Sequence, residues 1–347
     1  MAEIDAVLRW SVRERASDLH LATGSPFVIR RFGQLKRVKS ADLTAEKARE
    51  LIYEILTPAQ RKILEQNLQL DFSYEIQGIS RFRGNAIMQR MGLSATFRII
   101  PAAIPTLDAL GLPPIAKDLC DFNQGLILVT GATGQGKSTT LAAMIDLINS
   151  KRPVHIVTVE DPIEFVHPLK KGIVNQRQLG LHTKSFTNAL RAALREDPDV
   201  IMVGELRDLD SIRLAVTAAE TGHLVLGTLS TSSGPKTVDR VIDSFPSDEQ
   251  NQVRTMLAEG LRAVITQRLL PKIGEDGLVL ATEILIGTLP VVNLIRTEKT
   301  FQLSSIMQTG KAQGMQLMDE SLAQLVEAGL ISLETARSHA ENKKRFV

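Results

Sequence analysis

The sequence is short of several things, and each shortage excludes something. It holds one cysteine, Cys120, among 347 residues. A disulfide framework within the chain is therefore impossible, and so is a four-cysteine zinc site. Aromatic residues are 4% of the total. The core must rest on Leu, Ile, Val, Ala and Met, and stacking platforms for single-stranded nucleic acid are not expected. An excess of charge of one sign is also missing. Lys and Arg number 41 against 39 Asp and Glu, a formal net charge of +2. That balance argues against a bulk electrostatic nucleic-acid binder or a polybasic membrane-surface protein. No apolar run approaches the roughly 20 residues of a membrane-spanning helix. The most apolar stretches are residues 125–130, 154–159, 200–203 and 224–229. The N-terminus carries Glu3, Asp5, Arg9, Arg13, Glu14 and Arg15, so it does not read as a secretory signal. A reducing, cytoplasmic setting without membrane insertion is the simplest expectation.

At roughly 150 residues per domain the length suggests two domains. Residues 1–100 read as mixed α and β. Helical patterns cover 2–14, 44–56 and the stretch from Thr57-Pro58 to Asn67. Strand patterns cover 18–22, 27–32, 71–75, 81–90 and 93–99. Pro101, Pro105, Pro113 and Pro114 then interrupt regular structure, so residues 101–114 are expected to be a linker. From residue 115 to 347 the texture changes. Short, almost wholly apolar strands at 126–130, 155–159, 200–203 and 224–228 alternate with helices at 138–148, 189–194 and 211–219. That alternation implies an α/β domain with a parallel sheet covered on both faces. Residues 250–266, 319–328 and 333–341 read as a helical tail.

Gly131-Ala132-Thr133-Gly134-Gln135-Gly136-Lys137-Ser138 fits the G-x-x-x-x-G-K-[ST] pattern, with an apolar strand before it and a helix after it. The glycines let several backbone N–H groups turn inward at phosphate oxygens, and the helix N-terminus adds its dipole. Residues 133–139, through Thr139, are the expected nucleotide contacts. Lys137 would bring positive charge to the β- and γ-phosphates, and the Ser138 hydroxyl could ligate Mg2+. Without a nucleotide the same residues would be a glycine-rich strand-to-helix turn. Hydrolysis also needs a group that handles water and one that completes the metal shell. Two strand ends carry acids: Glu160, Asp161 and Glu164 after one, Gly204-Glu205 after the other. The pattern does not decide which of the first three acts on water.

Residues 131–140, 158–167, 199–208 and 218–231 together resemble the type II/type IV secretion ATPases, most closely the pilus-retraction branch, the PilT-like ATPases. The resemblance spans nearly the whole chain. Ser17-Asp18-Leu19-His20-Leu21 is similar to the start of that branch's N-terminal PAS-like domain, ahead of a RecA-like P-loop domain with C-terminal helices. It implies a hexameric ATP-hydrolysing ring, a homohexamer at the cytoplasmic, inner-membrane base of a type IV pilus, driving retraction and twitching motility. Nucleotide would lie between the two domains and against the next subunit. An inner-membrane platform protein and a second, related pilus ATPase are the implied partners, with no nucleic acid. Glu164 would match the family's catalytic Glu. Glu205 would match the Walker B Glu near water and Mg2+, partly through water. His223 would match a histidine near the γ-phosphate. Arg81, Arg83 and Arg98 would match arginines of the N-terminal domain, some of which reach phosphates; by pattern alone they read as a solvated strand face.

The chain departs from the family at several places. Ser230 stands where histidine is usual, and it keeps a hydrogen-bonding group without the imidazole titration. Val292 and Thr297 stand where Arg and Glu are usual, in a region the family associates with retraction. Gln135 replaces a common serine, with little effect expected, because the loop works through backbone N–H groups. Alternatives to a retraction motor are a nucleotide-binding accessory subunit and an extension or type II secretion ATPase. The latter relatives usually carry a four-cysteine zinc motif, and a single cysteine speaks against it. The remaining histidines show no metal-ligand spacing.

Overall fold

The computed structural model describes residues 2–100, 103–274 and 277–347. The chain divides into two compact units, Met1–Ala103 and Ile104–Val347. Pro101, the first proline of the expected linker, lies outside the described residues.

The first unit is built on an antiparallel sheet. Its strands are β1 (Asp18–Ala22), β2 (Val28–Arg31), β3 (Gln34–Arg37), β4 (Gln69–Ile76), β5 (Ser80–Gln89) and β6 (Gly92–Ile100), in the order β3-β2-β1-β6-β5-β4. Along β5, Phe82, Gly84 and Ala86 are buried while Arg81, Arg83 and Asn85 are not. This period-2 pattern puts one face on the core and leaves the other polar. Helices α1 (Glu3–Arg13), α2 (Ala45–Glu54) and α3 (Pro58–Asn67) cover the core face. Thr44 and Thr57 cap α2 and α3 by accepting from the N–H groups of Lys47 and Gln60. Ile4, Leu8, Leu51, Ile52, Phe82 and Phe97 fill the space between. Strand β3 is exposed along its whole length, so it carries no apolar alternation by which a sequence pattern could reveal it.

The second unit holds a seven-stranded sheet. Its strands are β7 (Gly125–Thr130), β8 (His155–Glu160), β9 (Ile173–Gln178), β10 (Val200–Val203), β11 (Leu224–Leu229), β12 (Leu261–Pro271) and β13 (Leu278–Ile286). Their order is β13-β12-β7-β11-β10-β8-β9. All pairings are parallel except β12 with β13. The helices are α4 (Ile115–Asp118), α5 (Lys137–Lys151), α6 (Phe186–Ala193), α7 (Leu209–Glu220), α8 (Gly234–Asp243), α9 (Gln250–Gly260), α10 (Leu289–Arg296), α11 (Leu303–Thr309), α12 (Met318–Glu327) and α13 (Leu333–His339). Leu126 and Leu128 of β7 face one core with Val203, Ile212 and Leu257. Ile127 and Val129 face another with Met144, Ile145 and Leu226. Burial on both faces explains the uninterrupted apolar strands. Leu107 and Leu112, inside the stretch expected to be a linker, are buried in this second core.

One expectation is corrected. The helix expected over 250–266 stops at Gly260, and residues 261–271 form strand β12. An apolar run fits a buried strand as well as a buried helix. Here the empty place beside β7 decides, because β12 fills it with Thr266 opposite Thr130. Strand β13 then returns antiparallel to β12.

Glu283 of β13 is buried and accepts from the backbone N–H groups of Gly234 and Met318, at the starts of α8 and α12. Burial raises its carboxyl pKa to about 7, against the pull of those two donors, with Glu341 adding to the rise and Arg268 opposing it. An acid raised in the folded state contributes stability below its ordinary pKa and loses it as pH climbs through the folded value. Stability should therefore fall between about pH 4.5 and 7 through this residue. Glu283→Gln cannot ionise and should flatten that fall, a relative gain of up to about 3 kcal/mol at pH 8. Denaturant melts of both chains at pH 5 and pH 8 check this, and identical pH dependence would exclude it.

Candidate phosphate site

Strands β7, β8, β10 and β11 run parallel, so the loops that follow them open at one edge of the sheet. That edge receives Gly131 after β7, Asp161 after β8, Gly204-Glu205 after β10 and Ser230 after β11.

Chain direction at the exit of β7 depends on Gly131. Its φ is 138°, and a Cβ there would sit 2.6 Å from the Gln267 carbonyl oxygen of β12. Any side chain would drive the loop off the neighbouring strand. Gly136 caps α5 with φ 80° and supplies no side chain to the helix start. The first N–H groups of α5 are thus left for a ligand, as anion sites at helix starts require. Thr133, Gly134 and Ser138 are exposed, while Gln135, Gly136, Lys137 and Thr139 are half-buried. The Lys137 ammonium donates to the carbonyls of Gly131 at 2.8 Å and Ala132 at 3.0 Å, curled over the loop. Burial lowers its pKa, and the Glu205 carboxylate opposes that shift. Lys137 and Glu205 therefore share one electrostatic neighbourhood.

Glu205 accepts from Arg207 Nε at 2.7 Å, and Ser230 Oγ lies 3.5 Å from its other oxygen. Arg207 also approaches Asp161 at 3.8 Å, tying the two acidic strand ends together. Ser230 thus stands beside the Glu205 carboxylate. Gly204, in the place of the usual Walker B Asp, has a steric reason. A Cβ there would lie 3.3 Å from Glu160 Cα and 3.3 Å from the Val159 carbonyl oxygen of β8. Both neighbours are backbone of a paired strand and cannot yield cheaply.

The three acids after β8 separate by environment. Glu160 is 8% exposed. It accepts from Thr158 Oγ1 at 2.6 Å and Gln176 Nε2 at 3.0 Å. Burial raises its pKa, which favours the neutral form. A base must be ionised and reachable, so Glu160 is a packing residue. Asp161 is exposed and Glu164 half-buried, which leaves these two for water.

Not every expected residue comes to this edge. His223 precedes β11 and faces Gly125 at the amino end of β7, where its carbonyl accepts from the Gly125 N–H at 3.0 Å. Its ring bonds the Ala218 carbonyl. The length of β7 separates it from Gly131, about 20 Å at 3.3 Å per residue. Within one chain the structure does not bring His223 to the phosphate loop. Arg81, Arg83 and Arg98 lie on the polar sheet face of the first unit. Arg81 is 3.7 Å from Glu75, and Arg98 donates to the buried Asp18 at 3.1 Å. Arg83 stands opposite Arg98 in register.

Sequence reading missed the β12 side of the site. Thr130 and Thr266 exchange a hydroxyl hydrogen bond at 2.9 Å, and Gln267 Nε2 donates to Thr140 Oγ1 at 2.7 Å. Reading 250–266 as helix hid both contacts; recognising a strand next to β7 would have shown them. A cavity of about 580 Å3 lies elsewhere, lined by residues such as Ile115, Lys311, Met315 and Arg345 and by none of the loop or acidic strand-end residues.

Among the described residues, no cluster of three or more His, Cys, Asp or Glu could hold a metal. Two oxygen donors at this sheet edge are the Ser138 hydroxyl at the start of α5 and the Glu205 carboxylate after β10. That set suits Mg2+, which keeps its waters and binds through one or two protein oxygens together with substrate phosphates. Cys120 is packed away, its thiol donating to the Ala116 carbonyl and pushed up to about 12 by burial.

The family model described as type II/IV secretion system protein matches residues 1–344. The chain belongs to this family. It is 51% identical to the type IV pilus retraction ATPase PilT of Pseudomonas aeruginosa over 344 residues, covering 99% of this chain and 100% of that one. It is 49% identical to the twitching motility protein of Neisseria gonorrhoeae over 340 residues, covering 98% of this chain and 91% of the relative. A crystal structure of the pilus retraction motor PilT with bound ADP superposes with a TM-score of 0.91 at 47% identity, over 99% of both chains.

Gly204→Ala should destabilise the second unit by about 1–3 kcal/mol, the usual cost of overpacking. Thermal melting followed by circular dichroism measures it, and an unchanged melting temperature would mean that β8 and β10 separate freely.

Proposed function

We infer that the chain is a Mg2+-dependent ATP hydrolase, working as a homohexameric ring motor that retracts a type IV pilus. The observation that carries this reading is the glycine loop between β7 and α5, opening on the same sheet edge as Glu205. The full-length similarity to retraction ATPases supports it independently. The first unit corresponds to the PAS-like domain of that family, and the second to its RecA-like domain.

In this reading the loop N–H groups and the α5 N-terminus bind the β- and γ-phosphates. Lys137 leaves the carbonyls of Gly131 and Ala132 for phosphate oxygens. That exchange returns full hydrogen bonding to an ammonium that burial disfavours. Ser138 and Glu205 hold the metal ion, Glu205 partly through water; the ion would neutralise charge on the transferred phosphoryl group. Glu164 orients the attacking water, the role that the family resemblance implies for it. Arg81, Arg83 and Arg98 remain phosphate-reaching candidates on the family resemblance. An arginine serving so can be worth about 10³–10⁵ in rate. No helix among the described residues is long and apolar enough to cross a membrane. The proposed place is the cytoplasmic face of the inner membrane, against a platform protein of the pilus machine. A second, related pilus ATPase is a further proposed partner.

Turnover of the purified, assembled chain tests the reading. Wild-type protein should hydrolyse ATP, and both Lys137→Ala and Glu164→Ala should abolish turnover. Nucleotide binding should survive in Glu164→Ala and be lost in Lys137→Ala. An assembled wild type without turnover would make the chain an accessory subunit instead. In cells, deletion should leave pili present but unable to retract, whereas bald cells would point to extension.

A further inference from the structure

Gln135 does something the backbone reading of the loop does not foresee. β12 pairs with β7 only as far as Thr266 opposite Thr130. Beyond that point β7 turns away into the phosphate loop, while β12 continues to Pro271 beside β13. The loop-facing edge of β12 is left without a ladder partner there. An N–H on such an edge must find another acceptor or face water. The acceptor present is a side chain of the loop: Gln135 Oε1 takes the Leu269 N–H at 2.5 Å, across 134 positions of sequence.

The surroundings hold this contact in place. The loop lies flush on β12 at Gly131 against the Gln267 carbonyl, and a Cβ on Gly136 would be 3.4 Å from the Leu269 side chain. One turn into α5, Thr140 is held by Gln267. At the strand exit Thr130 is held by Thr266. Gln135 is therefore the only one of the three loop-side partners that belongs to the glycine loop itself. A serine at this position is two heavy atoms shorter and cannot place an oxygen at the Leu269 N–H without moving the loop.

We propose that Gln135 is a positioning residue that clamps the tip of the phosphate loop to β12 and so holds the loop's N–H groups ready for phosphate. The inference rests on the nucleotide reading above. A loop already ordered loses less conformational freedom when a ligand binds, so the clamp acts on nucleotide affinity more than on the chemical step. One net hydrogen bond to a neutral partner corresponds to about a three- to tenfold effect.

The test has two arms, both on the full chain. Amide hydrogen exchange without nucleotide follows Leu269 in wild type, Gln135→Ser and Gln135→Glu. In Gln135→Ser the Leu269 amide should exchange about three- to tenfold faster, with Ile265 and Thr266 unchanged. Gln135→Glu keeps an acceptor oxygen and should retain wild-type protection. The second arm measures binding of a fluorescent ADP analogue and the KM for ATP. Both constants should rise about three- to tenfold in Gln135→Ser, with kcat falling by less. Wild-type exchange at Leu269 in Gln135→Ser, or unchanged affinity beside a wild type that does bind, overturns the clamp alone. A wild type that binds no nucleotide overturns the functional reading and the clamp together.

Discussion

The close approach of the Gly131 backbone to the Gln267 carbonyl is the constraint on which the site depends. β7 must leave the sheet at that residue while still touching β12, and only glycine at φ 138° allows it. From that turn follow the path of the loop, the start of α5 at Lys137, and the direction of its N–H groups. The buried hydroxyl pair of Thr130 and Thr266 and the Gln267–Thr140 contact fix the same seam from below. A phosphate site of this kind consists mostly of aimed backbone, so its precision comes from what holds the backbone still.

The acidic side of the site is organised by a second close approach, that of β10 to β8. Gly204 brings the two strand ends within contact, and the acids divide by depth. Glu160 goes inward and is favoured in its neutral form by burial. Asp161 and Glu205 go outward and are spanned by Arg207. Carboxylates gathered at one sheet edge repel one another, and such sorting relieves that repulsion. Arg207 keeps Glu205 and Asp161 compensated, and Ser230 adds a neutral donor where the family usually supplies an imidazole.

Much of this was legible in the residues. The glycine loop, its Lys and Ser, and Glu205 announce themselves through spacing and through an apolar strand on one side and a helix on the other. The mixed α/β character of both halves follows from two different periodicities, alternation in β5 and unbroken apolar runs in β7 and β11. What was not legible depends on tertiary neighbours. Nothing within residues 261–266 says strand; the vacancy beside β7 does. Gln135 reads as an indifferent loop residue until Leu269 is beside it. His223 reads as part of the site only through the family resemblance, whereas the parallel register puts it at the amino end of β11, away from the loop. Setting Glu160 apart from Asp161 and Glu164 needed burial and partners, which spacing does not contain.

Every role proposed for these residues requires that the loop bind a nucleotide through its phosphates. Calorimetric titration of the full chain with Mg2+ and a non-hydrolysable ATP analogue tests it most directly. Saturable binding is expected at one site per chain, competed by ADP and by inorganic pyrophosphate but not by adenosine. Adenosine competing as well as ADP, or the absence of saturable binding, would contradict it.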